Sequence, residues 1–86
     1  MMEYIAVICS SMKQINYLVD LAIDKAPNAF KERGKYYLIT TNDIKYIFMS
    51  EQDYYDRKLV GFHGLEISGD EYEKMFICGF SNVREG

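Results

Sequence analysis

Apolar residues crowd the start of the chain and then spread out. Tyr4, Ile5, Val7 and Ile8 lie within Glu3–Cys9 and favour β structure, and the run is almost unbroken by polar positions. That pattern predicts a central strand covered on both faces. From residue 12 the period changes. Met12, Ile15, Leu18, Val19, Ala22, Ile23 and Ala26 recur at steps of three and four, which is one apolar helix face, while Lys13, Asp20 and Asp24 fall off the stripe. Ser11 and Gln14 have the spacing of a capping box at its start. Pro27 ends this helix or opens a new one. Residues 27–33 read as a short second helical turn, closed by Gly34 in the left-handed conformation.

Residues 35–41 and 44–50 form the clearest local unit, two β-favouring runs around Asn42-Asp43, a pair that adopts positive φ in tight hairpin turns. A two-residue turn sets Ile39 against Tyr46 and Tyr37 against Phe48, with Tyr36, Leu38, Ile47 and Met49 on the other face. Both faces are then apolar, so either the sheet is covered on both sides or one face binds something. Ser50 with Asp53 starts a short helix over 51–58. Residues 60–67 alternate loosely, as a strand does, and Ser68 with Glu71 caps a last helix from Asp70. Residues 76–80 read equally as a continued helix or a terminal strand, and 81–86 as a frayed tail.

The order predicts a single small domain over residues 1–86, α/β or α+β. Its mixed sheet has three to five strands around a central hairpin, with one main amphipathic helix and short helices. The longest uncharged stretches, such as residues 4–12, fall far below the roughly 20 apolar residues that span a bilayer. No basic region precedes an apolar stretch at the N-terminus, so the default expectation is a cytoplasmic protein, or one of the host cytoplasm if phage-encoded, with no membrane partner. Cys9 and Cys78 lack C-x-x-C spacing and read as reduced, mostly buried thiols.

The net charge of −3 is uneven: residues 1–43 carry five bases and five acids, residues 44–86 five bases and eight acids. Glu66, Asp70, Glu71 and Glu73 fall together with no base between them. Such a segment opposes direct nucleic-acid binding, which needs clustered Lys and Arg, and offers an acidic surface to a basic partner. Eight tyrosines and no tryptophan are the odd compositional fact. The adjacent pairs Tyr36-Tyr37 and Tyr54-Tyr55 cannot both face one side. Together with Tyr46 and Phe48 they make a candidate aromatic interface, because tyrosine joins apolar area to a polar tip. The Ile, Lys, Tyr and Asn bias suits an AT-rich genome, as in bacteriophages, mobile elements and low-GC bacteria.

Residues 33–75 resemble one portion of the ATPase core of phage large terminase subunits and related P-loop proteins. The matching pieces are the hairpin over 35–50, the turn Leu59-Val60-Gly61, and the segment from Gly64 into Asp70-Glu71. The resemblance implies Asp70 as a magnesium-side acid and Glu71 as a water-activating base. The chain departs from that pattern: Ser68-Gly69 interrupts the apolar run before the acids, and G-x-x-x-x-G-K-[ST] is absent. Without that cradle of backbone amides, phosphoryl transfer lacks its main electrostatic support. Asp70-Glu71 therefore reads either as a remnant active site or as the start of a capped helix.

Other chemistry is sparse. His63 could pair with Glu66, or with an acid from elsewhere, as a general base, but no serine or cysteine stands in a nucleophile context. Cys9, Cys78, His63 and the acids show no zinc spacing. Ser10-Ser11 could hold an anion at a helix start, or simply cap it. No catalytic residue, metal or cofactor is expected. The sequence favours a small non-enzymatic accessory or regulatory protein that works by binding a protein partner or itself, with the 36–49 hairpin as the first self-association surface. A degenerate P-loop-derived domain and an acidic inhibitor of a DNA-binding protein are the alternatives.

Overall fold

The computed structural model describes residues 2–59, 61 and 64–77. Strand β1 (Glu3–Cys9) leads into helix α1 (Met12–Lys25) and a single 3-10 turn, Pro27–Ala29. Strands β2 (Phe30–Arg33), β3 (Tyr37–Thr40) and β4 (Ile44–Ser50) follow, then α2 (Glu51–Leu59), β5 (Leu65–Ser68) and α3 (Gly69–Phe76). The five strands form one mixed sheet in the order β2-β3-β4-β1-β5. This is a small α+β fold. Strand β1 runs parallel to both its neighbours, β4 and β5, while β2, β3 and β4 are antiparallel.

The central position of β1 explains its unbroken apolar run. Ile5, Val7 and Cys9 share a face with Tyr46 and Phe48, their register partners or diagonal neighbours on β4. This face packs against Ile15, Leu18, Val19 and Ala22 of α1 and Tyr72 of α3 to form the main core. The opposite face carries Ala6, Ile39 and Met49, all buried, on the side occupied by α2. Two crossovers account for this layout. The chain passes from β1 to β4 in one direction and from β4 across β1 to β5 in the other. Crossovers of the same hand that travel in opposite directions lie on opposite faces of a sheet. Hence α1 covers one side and α2 the other.

Three local expectations are corrected. Residues 30–33 are a strand, not part of a helical turn, because their backbone pairs with β3. Gly34 is not a left-handed cap; the only glycine with positive φ among the described residues is Gly61, whose N–H donates to the Lys58 carbonyl at 3.2 Å beyond α2. Gly34 is required by close approach instead, since a Cβ there would lie 1.9 Å from the Tyr37 ring. The third correction concerns the hairpin. Its loop holds three residues, Thr41, Asn42 and Asp43, and the last is left-handed at φ 65°. The Asp43 N–H donates to the Thr40 carbonyl at 3.0 Å, and Ile44 N–H to Thr40 Oγ1 at 3.0 Å. A three-residue loop ending in a left-handed residue shifts pairing by one. The observed partners are Tyr37 with Ile47, Leu38 with Tyr46 and Ile39 with Lys45. A one-residue slip exchanges faces, so Leu38 joins Tyr46 and Phe48 in the core.

The last strand begins at Leu65, later than the loose alternation over 60–67 implies, and residues 60, 62 and 63 lie outside the described set. Phe76 is the last residue of α3; the rest of the undecided 76–80 segment beyond Ile77, and the expected tail over 81–86, also lie outside it. Among the described residues no helix is long and apolar enough to cross a membrane.

Candidate functional site at the carboxyl edge of the parallel strands

Strands β4, β1 and β5 all point the same way, so the helices that follow them begin at one edge of the sheet. Each start is capped by a serine, Ser50 and Ser68 as the last residues of β4 and β5 and Ser11 two residues beyond β1. Gln14 N–H donates to Ser11 Oγ at 3.2 Å, Asp53 N–H to Ser50 Oγ at 3.1 Å, and Glu71 N–H to Ser68 Oγ at 3.1 Å. An open crevice of about 880 Å³ lies along this edge, walled by the first turns of α1 and α3 on one side and by α2 on the other. Adjacent strands β1 and β4 send their helices to opposite faces here. In open α/β sheets that is the place where a cleft forms outside the carboxyl ends of the strands.

Four carboxylates line the crevice: Glu51 of α2, Glu66 of β5, and Asp70 and Glu71 of α3. Lys58 is the one lysine or arginine beside them among the described lining residues. Two of the acids are oriented from behind. Asp70 Oδ1 accepts from Gln14 Nε2 at 3.2 Å, while Gln14 Oε1 accepts from the Ser10 N–H at 2.7 Å and the Ser10 hydroxyl at 3.1 Å. Gln14 thus ties the end of β1 to the start of α3. The expected capping box is displaced by one residue, with Gln14 reaching the amide of Ser10 rather than that of Ser11. Glu66 accepts from the Tyr54 phenol, and this bond holds the Tyr54 pKa above its ordinary value. Lys58 Nζ lies 5.6 Å from the Tyr54 ring centroid.

Two of the three helix starts already carry compensating charge. Glu51 and Asp53 stand in the first turn of α2, and Asp70 and Glu71 in the first turn of α3. A carboxylate there is favoured by the partial positive charge of the helix N-terminus. The Asp70-Glu71 step is therefore a helix start and a wall of the crevice at once. It stands beyond the carboxyl end of a parallel strand, separated from β5 only by Gly69, the first residue of α3.

The sequence-derived candidates divide. Glu66, Asp70 and Glu71 come together in the crevice, whereas Glu73 faces α1 and accepts from the Tyr17 hydroxyl at 2.7 Å. The aromatic set splits three ways. Tyr54 and the exposed Tyr55 line the crevice. Tyr46 and Phe48 are buried in the core against Tyr72. Tyr36 and Tyr37 lie at the β2–β3 end, where Tyr37 donates to Glu32 at 2.6 Å and has Lys45 Nζ 4.6 Å from its ring. Both faces of the 36–49 hairpin carry buried residues, Leu38, Tyr46 and Phe48 on one and Ile39 and Met49 on the other.

Cys9 is buried at the end of β1, and desolvation pushes its thiol up to about 11, so it stays protonated and weakly nucleophilic near neutrality. Among the described residues no group of three or more His, Cys, Asp or Glu side chains is placed to hold a metal ion. His63 and Cys78 lie outside the described set. Glu51, Gln14 and Lys58 are the crevice residues that sequence reasoning passed over. The signal was present in the Ser50–Asp53 cap: Glu51 follows β4 as Asp70 follows β5, but only parallel pairing puts both on one edge. No family model, no curated protein and no solved structure matches this chain.

Proposed function

We propose that this chain is a small non-catalytic binding protein that receives a basic segment of a protein partner in the crevice at the carboxyl edge of β4, β1 and β5. The observation that carries the reading is the convergence of Glu51, Glu66, Asp70 and Glu71 on one open cleft with Lys58 as the accompanying cation. Tyr54 and Tyr55 add amphipathic area at the rim, the kind of surface that covers the aliphatic stems of lysine or arginine. The buried, protonated Cys9 thiol supports a role without nucleophilic chemistry. Both faces of the hairpin carry buried residues, which favours the crevice over the hairpin as the interaction surface.

The test is an amide chemical-shift titration of the labelled chain with octa-arginine, with octa-glutamate as control. The expected result is saturable shifts confined to Ser10, Gln14, Glu51 and Gly69 and their neighbours, weakening as salt rises because exposed charges are screened. Exposed ion pairs contribute about 0.5 kcal/mol each, so E66Q/D70N/E71Q should weaken binding about ten-fold. Shifts scattered over the whole surface, or unchanged affinity in that variant, would overturn the reading.

A second reading is a degenerate P-loop-derived domain, the relation that the resemblance implies. What favours it is that β5 runs parallel to β1 and that Asp70 and Glu71 stand just beyond its carboxyl end. It requires heat of binding when magnesium and ATP are titrated into the chain. A flat calorimetric trace removes it and leaves the first reading intact.

A further inference from the structure

We draw no further inference here: the strongest candidate, the outer edge of β5 with the groove beside it formed by Tyr4, Ile47, Arg57 and Leu65, carries nothing because nothing among the described residues shows what covers it.

Discussion

The hydroxyl of Tyr72 has no hydrogen-bond partner among the described residues, and its side chain is fully buried. Its ring meets Tyr46, Phe48 and Phe76 at centroid distances of 5.1, 5.2 and 5.1 Å in tilted or edge-on geometry. Such aromatic pairs contribute about 0.5–1.5 kcal/mol each beyond buried area, while an unpaired buried hydroxyl costs about 1–3 kcal/mol. Tyr72→Phe keeps the first and removes the second. It should raise stability by about 1 kcal/mol in denaturant melts; a loss of stability would reveal a partner for the hydroxyl. Burial, with the nearby Tyr46 phenol as the lesser cause, raises the Tyr72 pKa above its ordinary 10. A phenol that ionises later in the folded chain than in the unfolded one leaves stability independent of pH below 10 and lowers it as pH rises further, because burial penalises the ionised form. Melts at pH 9 and 11 should therefore show a smaller alkaline loss in Tyr72→Phe than in the parent chain.

Asp43 has the opposite sign. The Lys31 ammonium, by hydrogen bond and by charge, holds its carboxyl below the usual 3.8. The stability linked to it is present above that value and declines as pH falls through the lowered pKa. Lys31→Ala should remove this acid-side dependence, which urea titrations at pH 3 and 6 would measure. Asp43 also adopts the left-handed conformation that fixes the hairpin register, a role its short polar side chain suits.

At the scale of elements, the helices at the crevice depend on their caps. Ser68 caps α3, an eight-residue helix too short to persist alone. Ser68→Ala should cost about 1 kcal/mol in thermal or denaturant unfolding. No loss would mean that packing of Tyr72 alone fixes the helix. Gly69 matters for a different reason. A Cβ there would lie 2.8 Å from the amide carbon and nitrogen of Gln14. Gln14 is a flexible side chain, so Gly69→Ala should fold but displace it, breaking the ties to Ser10 and Asp70. The expected readout is a lower affinity for octa-arginine with the charge of the crevice unchanged. Equal affinity would show that Gln14 does not orient Asp70 for binding.

At the scale of the whole molecule, the elements legible from sequence were those whose signals are local. The strand Glu3–Cys9, the helix Met12–Lys25 with its Ser11 cap, the short helix after Ser50 and the Ser68 cap all follow from periodicity and side-chain chemistry within a few residues. The misread elements needed partners. Residues 30–33 hold apolar and charged positions that fit a helical turn as well as an edge strand, and only β3 alongside decides between them. The hairpin turn was located correctly, but its loop length rests on one backbone φ at Asp43, and that single residue moved Leu38 into the core. The acidic candidates were visible as a charge run, yet Glu73 left the group because residue 73 turns toward α1 and Tyr17.

The sequence by itself determined a small α/β or α+β chain with a mixed sheet, its central apolar strand, its main amphipathic helix and the three serine-capped helix starts, because each is encoded in short-range pattern. Only the tertiary structure decided that those starts share one edge. Parallel pairing of β4, β1 and β5 is a long-range choice, made by how two crossovers cover opposite faces of the sheet. That choice brings Glu51 of α2 to Glu66, Asp70 and Glu71 in one crevice, a proximity that no spacing along the chain could express.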